Sequence, residues 1–412
     1  MFVLYNLVVF LADFALHFLA MLSPKMKLFV AGRKDVFEKL SAAIKPTDRT
    51  LWFHAASLGE YEQGLPVMEQ MRVKFPNHKI ILTFFSPSGY EVRKNNTMAD
   101  VTLYLPLDSA SNAQRFISLA HPELVFFIKY EYWPNYLKEL QRQNIRTFLI
   151  SGIFRENQLF FKWYGGFYRN ALASFEHFFV QNTTSEKLLH RLGKTNVSLS
   201  GDTRFDRVAA ILEKDNHLPF IDEFKNNTLT LVVGSSWPKD EEILVDFINH
   251  TSEKVKFIIA PHNIKAEQID ALQKAITKKT VLFSEKENTT LADKDVFIID
   301  TIGILTKIYS AGDVAYVGGG FGNPGVHNVL EPATFGLPIL IGPNYSHFAE
   351  ATELVARGGC LPIENTDQLK ELLEKLIQDK NYRRAVGQIC ASFVQQNTGA
   401  TRNILSYFDT QN

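Results

Sequence analysis

From Thr50 onward, short apolar runs alternate with longer stretches whose apolar residues recur at helical spacing. Leu51–Ala56 reads as a strand, and the segment after it sets Leu65, Met68, Met71 and Phe75 on one helical face. Ile80–Phe84, Val101–Leu105, Leu124–Ile128, Thr147–Ile150 and His177–Val180 continue the series. A polar stretch near Lys214–Asn227 interrupts it, and the alternation restarts with Thr230–Val233, Lys256–Ile259, Val281–Phe283, Val296–Ile299, Val314–Val317 and Pro338–Ile341. Strands that are apolar on both faces, separated by helical spacers, are the pattern of βα units around a parallel sheet. Two such series, each roughly 200 residues and so of ordinary domain size, predict an α/β chain of two Rossmann-like, doubly wound domains facing a cleft. Ligands in these sheets sit at the carboxyl ends of the strands, so the strand exits are where chemistry is to be sought.

The N-terminus departs from this alternation. Met1–Leu22 is nearly all apolar, with Asp13 and His17 as its strongly polar interruptions, and Lys25, Lys27, Arg33 and Lys34 follow at once. A cleaved signal peptide carries its charge before the apolar stretch rather than after it. A spanning helix needs roughly 20 apolar residues, which this run barely reaches with an Asp inside. A helix lying in the membrane interface, with its cationic flank on the cytoplasmic side, is the preferred reading for residues 1–22. Elsewhere the balance of 44 basic against 44 acidic residues offers no global reason to expect a nucleic-acid partner. Cys360 and Cys390 make no disulfide framework, and the chain has no CxxC or Cys/His zinc cluster.

Among the strand exits, Ala56-Ser57-Leu58-Gly59-Glu60-Tyr61 puts a carboxylate where a helix begins. The positive end of the helix dipole favours its ionised form, which suits a general base and equally suits a first-turn Glu that only stabilises its helix. Lys129-Tyr130-Glu131-Tyr132-Trp133-Pro134-Asn135 crowds charge and aromatic rings at the next exit, with Pro opening a helix. Its plainest reading is packing by Tyr132 and Trp133 and an ion pair between Glu131 and Lys129 or another base. Arg204 and Arg207 stand where the first domain gives way to the second, suited to a carboxylate or phosphate, or to solvated linker charge. Ser86-Pro87-Ser88-Gly89 and Ser151-Gly152 are small polar exits. In the second half, Gly234-Ser235-Ser236-Trp237, Pro261-His262-Asn263 and Asp300-Thr301-Ile302-Gly303-Ile304 follow strands.

The glycine-rich stretch from Gly318 and Gly319 to Pro332 follows the Val314–Val317 run. Glycines admit close backbone approach, and a following helix start attracts anions, which suggests a nucleotide phosphate. Gly320-Phe321-Gly322-Asn323-Pro324-Gly325 formally matches the dinucleotide fingerprint. The acid expected about 20 residues on, at the end of the next strand, is replaced by Gly342-Pro343-Asn344. Glu331, nearer in the chain, could instead accept ribose hydroxyls of a mononucleotide. Asp293-Lys294-Asp295 precedes a strand rather than ending one and is discounted as a metal site.

Taken together, these stretches resemble the 3-deoxy-D-manno-octulosonic acid (Kdo) transferases of lipid A biosynthesis, glycosyltransferase family 30. The carriers are Ala56–Glu60, Glu131–Asn135, Gly201-Asp202-Thr203-Arg204-Phe205-Asp206, Asp300–Gly303, and Gly318-Gly319 through His327-Asn328-Val329-Leu330-Glu331-Pro332. The resemblance implies a GT-B arrangement: residues 1–22 a membrane-anchoring helix, 23–213 an acceptor domain, and 214–412 a nucleotide-sugar domain whose last helix packs back on the first. It implies inverting transfer of Kdo from CMP-Kdo to the lipid A precursor at the cytoplasmic side of the inner membrane, without metal or other cofactor. Glu60 matches the general base. Pro261, His262, Ile302, Gly303, Ile304 and Asn328, Val329, Leu330 and Glu331 match the contacts to CMP, with Gly318 and Gly319 in the loop. Lys129 stands where the family usually has Glu, so a transition-state role there falls to Lys129 or to Glu131. Arg204 stands for a usual Lys, His262 for a usual Arg, and Ile304 for a usual Glu. The other readings are a GT-B enzyme using a UDP-sugar, a catalytically inactive membrane-recruited homologue and, more distantly, a nicotinamide enzyme.

Overall fold

The structure is a computed structural model that describes residues 1–409. By backbone proximity it divides into two units, Met1–Arg207 with the C-terminal segment from Thr398, and Val208–Asn397.

The first unit is organised by strands whose side chains, except at the β7 edge, are mostly buried on both faces. They are β1 (Arg49–Ala55), β2 (His78–Phe84), β3 (Val101–Tyr104), β4 (Pro122–Ile128), β5 (Arg146–Gly152), β6 (His177–Val180) and β7 (Val197–Leu199). They pair in parallel in the order β3-β2-β1-β4-β5-β6-β7. On one face Trp52 packs against Phe116, Phe127 and Tyr136. On the other, Phe53 stacks on Phe126, with ring centroids 4.5 Å apart. The last helix, Ala400–Asp409, completes this second face with Ile404 and Phe408, whose ring lies 4.8 Å from Phe148. Its N-terminus is held by Asp206, whose carboxylate accepts from the amides of Gly399 (2.5 Å) and Thr401 (2.6 Å), an anion where the helix dipole favours one.

The second unit repeats the plan with one change. Its strands are β8 (Leu229–Ser236), β9 (Val255–Pro261), β10 (Thr280–Leu282), β11 (Val296–Ile298), β12 (Val314–Val317), β13 (Ile339–Ile341) and β14 (Cys360–Pro362). The order is β10-β11-β9-β8-β12-β13-β14, again all parallel, so β11 inserts between β9 and the edge strand β10. β7 and β14, three residues each and partly exposed, are the strands whose sequence gives no apolar run to read.

The first helix, Phe2–Leu19, is long and apolar enough to cross a membrane by length and composition, and none of its residues is buried. It is docked along one edge only. The Tyr5 hydroxyl donates to Asp108 (2.7 Å), Asn135 donates to Asn6 (2.8 Å), and Phe2 packs edge-on against Phe167 at 4.8 Å. Leu4, Leu7, Phe10, Leu11, Phe14 and Phe18 face outward. Arg33, expected within the cationic flank, is withdrawn from it. Its guanidinium is packed on the Phe29 ring and donates to the carbonyls of Leu105, Phe29 and Phe85 at 2.9, 2.8 and 2.7 Å. Burial lowers its pKa to about 10.

Candidate active site

In each sheet the strand order reverses at one point, and there the strand exits diverge and leave room for a ligand. In the first unit that point lies between β1 and β4. β1 ends at Ala55, Ser57 is extended, and the helix Leu58–Lys74 begins, with Glu60 in its first turn. Glu60 is half-buried and accepts a hydrogen bond from the Ser57 hydroxyl. Beyond β4, Lys129 takes a left-handed backbone (φ 69°), its amide donating to Ile150 at 2.9 Å. Its ammonium lies 5.0 Å from the centre of the Tyr130 ring.

Tyr130 is the hub of the group. Its hydroxyl accepts from Arg155 at 3.1 Å. Burial raises its pKa most; Arg155 and Arg204 act against that, while Glu60 and Asp202 add to it. Arg155 is thus in contact with this phenol, and Glu60, Arg204 and Asp202 act on its charge. Arg204 is clamped by Asp202, through Nε (2.8 Å) and Nη2 (2.7 Å). The segment carrying it is fixed from below, Thr203 donating to the Gln63 carbonyl (2.5 Å) and sharing a hydrogen bond with Ser151 (2.8 Å). Arg207 instead pairs with Glu62 at 2.9 Å.

Glu131 faces inward, not toward Lys129. Its carboxylate accepts from the Trp133 indole (2.7 Å) and is bonded to His54 Nε2 (3.0 Å). The other imidazole nitrogen meets Thr83 (2.8 Å), which also accepts from the Trp52 indole (2.8 Å). With Thr83 donating to Nδ1, the Nε2 proton points at Glu131, and every member of the buried chain is satisfied. This makes Glu131 the inner end of a network that stiffens the β4 exit.

The second unit's reversal lies between β8 and β12. β8 runs out into Trp237, β9 into Pro261-His262, β11 toward Ile302, and β12 into the glycines. Three rings from three exits stack here. His262 lies 4.6 Å from Trp237 and 4.5 Å from His327, nearly parallel to both, and Trp237 Nε1 donates to His327 Nε2 at 2.8 Å. Burial lowers the pKa of both imidazoles, with their mutual charge adding to it at His327 and Asp240 opposing. Buried Asp240 ties the exits together, accepting from the amides of Trp237 (2.9 Å) and Gly319 (2.8 Å) and from the Tyr316 hydroxyl (2.8 Å).

The glycines are used first by the protein's own backbone. A Cβ on Gly318 would stand 2.3 Å from the Ser235 carbonyl oxygen, and Gly319 (φ 94°) has no room beside the Gly325 carbonyl. The helix they lead to, Leu330–Thr334, starts only after a long turn. At its start Asn328 caps the Leu330 amide (3.0 Å) and donates to Glu331 (3.0 Å), while Thr306 donates to the other Glu331 oxygen (2.7 Å). Glu331 thereby joins the Asn328–Leu330 turn, with buried Val329 and Leu330, to the segment of Ile302, Gly303 and Ile304. Ile302 is 81 % exposed, and Gly303 (φ 95°) has open space around its α-carbon. Asp240, Thr306 and Arg155 are additions made by the structure, whereas Trp237, His327 and Tyr130 lie in stretches already singled out in the sequence without a role of their own.

Sequence comparison agrees with the fold. A family model for 3-Deoxy-D-manno-octulosonic-acid transferase (kdotransferase) matches residues 33–207. A 3-deoxy-D-manno-octulosonic acid transferase of Chlamydophila psittaci is 27% identical over 362 residues, 85% of this chain and 82% of that protein. One from Haemophilus influenzae is 26% identical over 407 residues, 94% of this chain and 92% of that protein. Among solved structures, a UDP-GlcNAc 2-epimerase from Neisseria meningitidis covers 88% of this chain and all of that one (100%) with TM-score 0.62 at 14% identity, a likeness of fold. Two parallel seven-stranded sheets of this plan, with these relatives, define a glycosyltransferase of the GT-B class. Within that class the chain is similar, over most of its length, to the 3-deoxy-D-manno-octulosonic acid transferases.

Proposed function

We propose that this enzyme transfers Kdo, with inversion, from CMP-Kdo to a hydroxyl of the tetraacyl lipid A precursor at the cytoplasmic face of the inner membrane. The observation that carries the reading is Glu60, held by Ser57 in the first turn of the helix that leaves β1 at the reversal point of the first sheet. In the reaction the acceptor oxygen attacks the anomeric carbon of Kdo and its proton passes to the Glu60 carboxylate. The bond from that carbon to the CMP phosphate breaks, and its electron pair leaves on the phosphate. A carboxylate base and a guanidinium supply what the step needs, proton removal and a positive field for the sugar carboxylate or the departing phosphate. The Asp202 clamp would turn Arg204 toward that anion, and Lys129 adds a second cation at the β4 exit.

The second unit would hold CMP. Glu331 would accept ribose hydroxyls, and His262 and His327 would donate to the phosphate without a metal ion. The outward apolar side of Phe2–Leu19 supports residence of that helix in the membrane interface, where the acceptor's acyl chains lie.

Incubation with CMP-Kdo and lipid A precursor, read by mass, tests the reading: the product should gain Kdo. Titration with CMP, UMP and UDP accompanies it. Preference for UDP, with no Kdo added, would replace the donor assignment by a UDP-sugar.

A further inference from the structure

The most exposed large apolar side chain among the described residues is not on the first helix. It is Trp163, 91 % exposed, beside Tyr164 (56 %) and Leu159 (43 %). These residues lie on a turn between β5 and β6 that is firmly built. Arg169 donates from beneath to the carbonyls of Phe160 (2.9 Å) and Lys162 (2.8 Å) and reaches Trp163 (3.5 Å). Phe160 is buried against Tyr132 at 4.8 Å. Gly165 closes the turn where a Cβ would stand 1.8 Å from the Leu159 carbonyl oxygen. The display of Trp163 and Tyr164 is thus imposed by a fixed backbone.

The turn is continuous with the first helix. Phe167, in the short helix that follows it, packs on Phe2 (4.8 Å) and Tyr5 (5.4 Å). Lys138 lies 4.3 Å from the centre of the Phe2 ring, and Lys162 is on the turn itself. Trp and Tyr have an apolar body and a polar edge and concentrate at the headgroup level of bilayers, where basic residues meet anionic lipid. The turn, through Leu159 and Phe160, also lines a hollow of about 380 Å³ together with Tyr130, Tyr132, Gln158 and Tyr168. Tyr130, which lines the same hollow, is the phenol on whose charge Glu60 acts.

We propose that the Leu159–Tyr164 turn is a second membrane contact, its Trp163 and Tyr164 entering the interface of a phospholipid bilayer beside the first helix. The inference rests on the reading that this helix lies at a membrane. Its consequence is functional: lipid surface is brought to the hollow that Leu159 and Tyr130 both line, so an acyl-bearing acceptor meets the site without leaving the bilayer.

The test uses the full-length chain and vesicles of phosphatidylethanolamine and phosphatidylglycerol, with and without brominated acyl chains, which quench tryptophan on contact. Quenching is expected in the unaltered protein and should be largely lost in Trp163→Phe. Trp163→Ser with Tyr164→Ser should lower vesicle partitioning about tenfold while leaving Kdo transfer in detergent unchanged. Quenching that persists in Trp163→Phe, or unchanged partitioning of the double variant, overturns the second contact alone. Absence of vesicle binding by the unaltered protein overturns it together with the membrane reading of the first helix. A concentration-dependent dimer in lipid-free sedimentation that the double variant loses would overturn it in favour of a second copy of the chain. Failure of Kdo transfer in detergent by the unaltered protein would count against the proposed function, not against this contact.

Discussion

The two units share a sheet plan and solve different problems with it. In the first the candidate groups are ionised or ionisable side chains, Glu60 held by Ser57, Arg204 clamped by Asp202, and Arg155 on the Tyr130 hydroxyl. In the second they are backbone amides, glycines and three stacked rings, gathered by one buried carboxylate. A site for bond-making needs a group that can change its proton, at a position fixed to within a fraction of an ångström. A site for holding a nucleotide needs many weak donors at fixed spacing, which backbone supplies once glycine lets strands approach. The same topology therefore leaves chemistry written in charged residues on one side and in packing on the other.

The sharpest way to break the contrast is Glu60→Gln. Removing the proton acceptor while keeping the shape should cut turnover by about 10²–10⁴-fold and leave CMP affinity, read by titration calorimetry, within about twofold. Near-normal turnover would remove Glu60 as the base. The counterpart in the second unit is Asp240→Ala, which strands three buried donors, those of Trp237, Gly319 and Tyr316. An unmade buried hydrogen bond costs about 1–3 kcal/mol, so the expected loss is on the order of 3 kcal/mol or more. It should appear as a lower denaturant midpoint together with weak CMP binding. Unchanged CMP binding would mean that the loop's position does not set donor affinity. A smaller effect is expected from Thr306→Val, which removes one donor to Glu331. CMP affinity should fall by about 1 kcal/mol, roughly fivefold, with stability nearly unchanged; an unaltered affinity would detach Glu331 from the nucleotide.

The same contrast explains what was legible in the chain. Apolar runs such as Leu124–Ile128 and Val314–Val317 announce central strands because their residues are buried on both faces. Val197–Leu199 does not, because its three residues alternate Val, Ser and Leu and are partly exposed, and Cys360–Pro362 does not, because it is three residues long and ends in Pro. The insertion of β11 beside β9 is likewise invisible, since pairing partners are set by tertiary fit and not by run length. Glu60 could be singled out because a carboxylate just after a strand is a local feature. The inward turn of Glu131 could not, because its partner His54 lies 77 residues away. The glycine stretch was legible as a close approach, but what approaches first is the Ser235 carbonyl of the neighbouring strand exit. Arg33 reads as membrane-flanking charge by position, and three carbonyls in the fold claim it instead.

The finest distinction between the units is their response to acid. Three imidazoles have pKa values lowered by burial, His177 in the first unit and His262 and His327 in the second. A histidine depressed below its unfolded value of about 6.5 binds fewer protons in the folded state. Its contribution to stability is complete above about pH 6.5 and is lost as pH falls through the folded value. Both units should therefore soften on acidification below about pH 6.5, and the second more, because two depressed imidazoles stack there and His262 adds to the lowering by burial at His327. Thermal unfolding followed through Trp237 emission, against Trp52 and Trp133 in the first unit, should show the second signal moving further between about pH 7 and pH 5.5. His262→Gln should flatten part of that difference. Excess CMP should oppose it, since an anion beside the ring pair favours the protonated form and raises both values toward normal. A second-unit transition that does not move with pH, or that CMP leaves equally acid-sensitive, would separate the ring stack from the phosphate and leave it a packing device only.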